Sequence, residues 1–295
     1  MKHLRFLAVV CCMVAMTFVS CKKDKTDEPT DPKTYTLTVL SSNEEMGTVT
    51  GGGSYEEGTE VTLTATPTSD GYAFVKWSDE NTDNPRALTV AEDLELTAIF
   101  DYAVVDLGLP SGLKWAACNV GATSPEEYGN YYAWGETEPK TTYTWATYKW
   151  CNGSNTTLTK YCNNASYGKD SFTDDKTVLD PEDDAAAANW GGAWRMPTDE
   201  EWTELRTNCT WTWTTKNGVN GYEVKSKTNE NAIFLPAAGY RYNDDLHCAG
   251  NYGYYWSSLL NAGNPIDAWN VYFDSDYVGR GCSLRYCGHS VRPVL

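Results

Sequence analysis

Residues 194–202 read Trp194-Arg195-Met196-Pro197-Thr198-Asp199-Glu200-Glu201-Trp202. Thr198 is followed three residues later by Glu201, the pattern in which a hydroxyl and a carboxylate reciprocally satisfy free backbone N–H groups at a helix start. This predicts a short helix with Trp202 and Leu205 on one face. Upstream, Asp183 and Asp184 precede four alanines at 185–188 and predict a second short helix with acids at its positive end. The other prominent stretches of 103–295 read as loops and short strands. The interval 151–182 is rich in Asn, Gly, Ser and Thr and reads as one long loop, the kind of segment where function tends to sit.

Toward the N-terminus the period changes to two. Tyr35, Leu37 and Val39 alternate with Thr36 and Thr38, and Val61, Leu63 and Ala65 alternate with Thr62 and Thr64. Leu94, Leu96, Ala98 and Phe100 form a third half-buried strand. Gly51-Gly52-Gly53 and Gly58 mark turns, while Tyr72, Phe74 and Trp77 offer bulk for a small core. The expected organisation is an all-strand module at 34–101 and a larger domain at 103–295, α+β and β-rich overall, with long loops and few short helices. Residues 22–33, KKDKTDEPTDPK, have two prolines and no large apolar side chain, so 21–33 reads as a flexible tether.

Lys2 and Arg5 precede an apolar run at 7–19, too short to span a bilayer comfortably. The run ends in Phe18-Val19-Ser20-Cys21, which resembles the lipobox of bacterial lipoproteins. The resemblance implies a signal peptide at 1–20, cleavage before Cys21, and a membrane partner reached through lipid on Cys21. Lys22, Lys23 and Asp24 resemble the export signal of Bacteroidetes-like outer-membrane lipoproteins, so the expected location is the outer membrane, lipid-anchored, at the cell surface.

Two further resemblances rest on longer stretches. Gly71-Tyr72-Ala73-Phe74-Val75-Lys76-Trp77 and Leu94-Glu95-Leu96-Thr97-Ala98-Ile99-Phe100 resemble the internalin B-type bacterial repeat. That implies a small β-grasp-like module acting as a spacer. In 103–295, six ordered stretches resemble the Fibrobacter succinogenes major paralogous domain: 104–116, 131–136, 194–202, 234–241, 255–258 and 288–294. This implies a C-type-lectin-like fold, distantly related to formylglycine-generating sulfatase activators.

The net charge of −17 opposes binding to phosphate backbones, so nucleic acid is not an expected partner. Twelve Trp and twenty Tyr supply amphipathic contact area. Trp145, Trp150, Tyr161 and Trp213 lie in polar context and are the candidate ligand-binding residues; the alternative is packing beneath loops. Seven cysteines follow Cys21, and Cys151/Cys162 and Cys282/Cys287 are the candidate disulfides. Buried thiols are the alternative. No Cys/His spacing for a metal, nucleophile–base pair or cofactor loop is recognisable, so no cofactor and no catalytic residue is expected. Calcium is the one open ion: Asp170, Asp174, Asp175, Asp180, Glu182, Asp183 and Asp184 are oxygen donors in one stretch, although EF-hand spacing is missing. Asn264-Pro265-Ile266 and Trp269-Asn270-Val271 only partly echo the loops of sugar-binding lectins. The expected function is non-enzymatic display of a recognition domain for a glycan or surface protein. An enzyme related to sulfatase-modifying factors, favoured by a reactive Cys282 or Cys287, and a structural piece of a surface assembly are the rivals.

Overall fold

The threonine alternation at the N-terminal end becomes seven strands: β1 (Thr34–Ser41), β2 (Gly47–Thr50), β3 (Gly53–Glu56), β4 (Glu60–Pro67), β5 (Tyr72–Trp77), β6 (Arg86–Thr89) and β7 (Leu94–Tyr102). The computed structural model describes residues 31–295; the signal peptide expected at 1–20, Cys21 and residues 22–30 lie outside the described residues. One sheet runs β3-β1-β7-β5, with β1 and β7 parallel, and a second runs β2-β4-β6. Because side chains alternate across a strand, Leu37, Leu63, Ala65, Leu96, Ala98 and Phe100 gather around the fully buried Trp77 while the threonines face outward. This unit holds strands only.

The larger unit begins with β8 (Val104–Asp106) and β9 (Lys114–Ala116), then a long irregular stretch, then α1 (Ala185–Trp190) and α2 (Asp199–Asn208). Strands β10 (Cys209–Lys216), β11 (Val219–Ser226) and β12 (Ala232–Pro236) form an antiparallel sheet. After them come the pair β13 (Tyr240–Tyr242) and β14 (Asp245–His247), and the sheet of β15 (Gly253–Leu260), β16 (Asp267–Phe273) and β17 (Val278–Leu284). The chain is β-rich with few helices, as its sequence suggests.

Both helices start where local chemistry places them. The Glu201 N–H donates to the Thr198 hydroxyl at 3.2 Å, and the Thr198 N–H donates to the Glu201 carboxylate at 2.8 Å. Trp202 and Leu205 are buried against Trp115 and Tyr255. Asp184 caps α1, accepting from the Ala186 and Ala187 N–H groups. The β10–β11 hairpin closes through Asn217-Gly218, both at positive φ (49° and 84°), the two-residue turn that suits strand twist.

The end of the chain is the keystone. Residues 288–294 bridge five separate segments, through Arg241, Tyr132, Tyr255, Trp115 and Arg195. Two arginines at this end are fully buried and bonded to neutral groups alone. Arg292 donates to Asn119 and to the carbonyls of Ala116, Ala117 and Phe234. Arg285 donates to the Tyr148 hydroxyl and to the carbonyls of Lys160, Tyr161 and Pro265. Without these partners the desolvation of each guanidinium would be prohibitive.

Candidate functional site

Of the four candidate aromatics, Trp213 lines an open cleft. Trp211 and Trp213 alternate with outward threonines on β10, so both indoles turn to the same face and pack edge-on against Tyr222 and Phe273. The half-buried Trp213 ring continues into a cleft of about 410 Å³ with Tyr252, Asn220, Asn251, Asp274, Ser275 and Asp276. Trp213 thus lies on a regular strand, not in the irregular context expected of it.

Two hydrogen-bond relays, centred on Asn220 and Asp274, hold the cleft walls. Asn220 donates to the Gly250 carbonyl at 3.0 Å and accepts from Thr215 at 2.8 Å. Asp274 accepts from the Asp276 and Tyr277 N–H groups, both at 2.9 Å, fixing the β16–β17 turn. Asn251 and the Asp276 carboxylate remain exposed and directed to solvent-accessible space. Two aromatic surfaces beside amide and carboxylate groups can stack on an apolar ring face while accepting hydroxyl protons.

Trp145, Trp150 and Tyr161 fall together elsewhere, and their rings are used internally. Trp145 meets Tyr286 edge-on at 5.0 Å and Tyr148 at 5.7 Å. Trp150 donates to the Gly135 carbonyl at 2.6 Å, with the Lys149 and Lys160 ammonium groups 4.2 and 4.9 Å from its ring. Tyr161 is fully buried and donates to Asp183 at 2.7 Å. Burial, opposed by the hydrogen bond from the Asp180 N–H, pushes its phenol far up. Tyr161 is buried beneath the loops, whereas Trp145 and Trp150 are half-buried with their rings against neighbouring aromatic and lysine side chains. Their polar neighbours saturate loop backbone: Asp174, for example, accepts from the N–H groups of Tyr161 and Cys162.

In the acidic stretch at 170–184, Asp174, Asp180, Asp183 and Asp184 are engaged internally, while Asp170 and Asp175 are exposed. Asp180 pairs with Lys160 and Lys176, each at 2.6 Å, which lowers its carboxyl below the ordinary range. Asp183 pairs with Lys149 and Lys160, and Asp184 caps α1. Burial works against the Lys160 charge, yet its bonds to Asp180 and Asp183 hold it well above a free lysine. No three Asp, Glu, His or Cys side chains converge as a ligand set among the described residues.

All seven cysteines among the described residues are free thiols, so neither Cys151/Cys162 nor Cys282/Cys287 is bonded. The sulfurs have other occupations: Cys151 donates to the Trp145 carbonyl at 3.0 Å, and Cys162 to the Asn164 carbonyl at 3.2 Å. Cys287 packs among tyrosines, whereas Cys282 is exposed on β17. Burial pushes the Cys287 thiol up to about 12 and raises that of Cys282, so both are poor sources of thiolate at neutral pH.

Residues 35–104 match the family model of the divergent InlB B-repeat domain. Residues 211–294, which contain most of β10, all of β11 through β17 and the C-terminal keystone, match that of a domain of unknown function, DUF8237. No curated protein and no solved structure matches the chain.

Proposed function

We propose that the chain is an exported surface lipoprotein, held by lipid on Cys21, whose C-terminal domain binds a glycan without turning it over. The InlB-type unit serves as a β-grasp-like spacer, and the larger unit is a variant of the C-type-lectin-like fold. That fold assignment is supported by the order of its six motifs and by loop-rich β architecture with two short helices. The observation that carries the binding function is the Trp213–Tyr252 cleft, where aromatic surface lies beside Asn251, Asp274 and Asp276. The acidic chain disfavours base stacking on a nucleic acid, whereas neutral sugar rings suffer no such repulsion.

Glycan-array binding by the full-length chain tests the proposal, with the Trp213→Ala/Tyr252→Ala double variant beside it. Stacking contributes about 0.5–1.5 kcal/mol per ring, so the double variant is expected to lose roughly tenfold or more in affinity with unchanged circular dichroism. Wild-type binding to no glycan, or equal binding by a folded double variant, would remove this site.

A further inference from the structure

The structure contains a second cleft, of about 550 Å³, on the β13–β14 side of the larger unit. It forms where residues 139–143 pair with the turn after β13: Tyr143 and Asn243 exchange backbone hydrogen bonds at 2.8 and 3.0 Å. Arg241 and Gly288 exchange another pair, at 2.7 and 2.9 Å, so the backbone bearing the Arg241 side chain is fixed from both sides. The guanidinium carbon lies 5.5 Å from the centre of the buried Tyr131 ring. It takes part in no hydrogen bond or ion pair with the described residues.

The other groups in this cleft differ from it. Lys140 is neutralised by Glu136 at 2.9 Å and anchored to the Thr147 carbonyl. Tyr131 and Tyr143 spend their hydroxyls on the carbonyls of Ala238 and Tyr131. Asp244, also in the cleft lining, accepts from the Thr142 hydroxyl at 2.6 Å through one carboxylate oxygen, and its other oxygen has no hydrogen-bond partner among the described residues. The lining therefore presents one unneutralised planar cation, a carboxylate acceptor and small polar groups, over a floor of tyrosine rings.

We infer that this cleft binds a hydroxylated monocarboxylate of sugar size, a uronic-acid unit. Arg241 takes the carboxylate through its fork of N–H donors, and Asp244 accepts a ring hydroxyl proton. Its volume lies within the range of small-molecule pockets. The acidic chain and Asp244 disfavour multiply charged anions, so the recognition is local and limited to one negative charge. Burial of Tyr131 and Tyr143 leaves the stacking face to Arg241, so polar groups rather than aromatic faces read this ligand.

Saturation-transfer NMR and calorimetric titration of the full-length chain provide the test. The probes are galacturonate and glucuronate, with galactose and glucose as neutral matches and acetate as a bare carboxylate. Uronates are expected to bind at least tenfold more tightly than either control. Arg241→Gln is expected to lose that binding, Arg241→Lys to retain part of it, and Asp244→Asn to weaken it severalfold, all with unchanged circular dichroism. Neutral sugars binding as well as uronates would overturn the inference. So would acetate competing equally, an Arg241→Gln variant that binds like wild type, or the absence of uronate binding.

Discussion

Tyr102 lies ring on ring with Trp190, centroids 3.7 Å apart and planes 6° from parallel, although one residue ends the InlB-type unit and the other ends α1. Trp194 meets both rings edge-on, and Tyr72 packs beside Tyr102 at 5.8 Å. Next to this stack the Gly71 N–H donates to the Thr123 carbonyl at 2.8 Å. A Cβ on Gly71 would lie 2.7 Å from that same oxygen, so only glycine permits the approach. Each unit has its own core, yet they are docked through aromatic surface. The wild-type chain is therefore expected to unfold calorimetrically as one coupled transition. Trp190→Ala is expected to cost about 1–3 kcal/mol and to split the transition in two. Two transitions already resolved in wild type, and unmoved in the variant, would show that the stack transmits nothing.

His289 sits face to face on Trp256, centroids 3.9 Å apart, with Tyr254 at 5.3 Å and Tyr240 at 6.3 Å and no charged partner. Burial pushes its imidazole down to about 3. Between that value and the unfolded pKa near 6.5, the unfolded chain holds a proton that the folded chain rejects. Stability is therefore fully present above about pH 6.5 and falls as pH drops, by roughly 1.4 kcal/mol per unit from this group. The carboxylates held low by ion pairs, Asp79, Asp180 and Glu201, contribute their own losses below about pH 4.5. Urea unfolding at pH 6.5 and 5.0 should show a loss of about 2 kcal/mol in wild type and a much smaller one in His289→Gln. Equal slopes in the two proteins would contradict the assignment.

How far the sequence can be read depends on how local the responsible interaction is. The Thr198/Glu201 box, the Asp184 cap and the alternation ending at Phe100 each act within a few residues, and each appears where its signal lies. Asn217-Gly218 carries the β10–β11 hairpin just as locally and places Trp213 on a strand. Tyr252, Asn251 and Asp274 join Trp213 only through the sheet arrangement, so no spacing marks them as one site. Arg241 is harder still, because its significance lies in having no ion-pair partner among the described residues, a property of the folded surroundings. The full burial of Tyr161 shows the complementary limit: polar sequence context describes how a loop satisfies its own backbone as well as it describes exposure.

Anchoring is tested at Cys21. Its motivation is the short apolar run between Arg5 and the Phe18-Val19-Ser20-Cys21 stretch. Cells expressing the wild-type chain are expected to incorporate labelled palmitate into it and to retain it with membranes. Cys21→Ala is expected to lose both. A labelled, membrane-bound Cys21→Ala chain would exclude lipid attachment at this residue.

Arg285 holds the long loop in place, and its removal makes the sharpest stability prediction. Its guanidinium is fully buried and reaches the Tyr148 hydroxyl at 2.9 Å, the Tyr161 and Pro265 carbonyls at 2.9 Å each, and the Lys160 carbonyl at 3.0 Å. One side chain thus joins the region around 148, the 160–161 bend and the loop before β16. It also lies against the rings of Trp134 and Tyr148, at 5.3 and 5.2 Å. A lysine offers a point charge in place of the planar fork and cannot reach all four acceptors. Methionine fills much of the volume but leaves three carbonyls and a hydroxyl without a donor, at about 1–3 kcal/mol each before relaxation. Both Arg285→Lys and Arg285→Met are expected to destabilise the larger unit by about 3–5 kcal/mol. Hydrogen exchange should rise first in 148–183, where Asp174, Asp180 and Asp183 depend on the same bend, while β1–β7 stays protected. An Arg285→Met chain with wild-type thermal stability and a protected 148–183 segment would show that the loop is held by its own lysine–aspartate pairs instead.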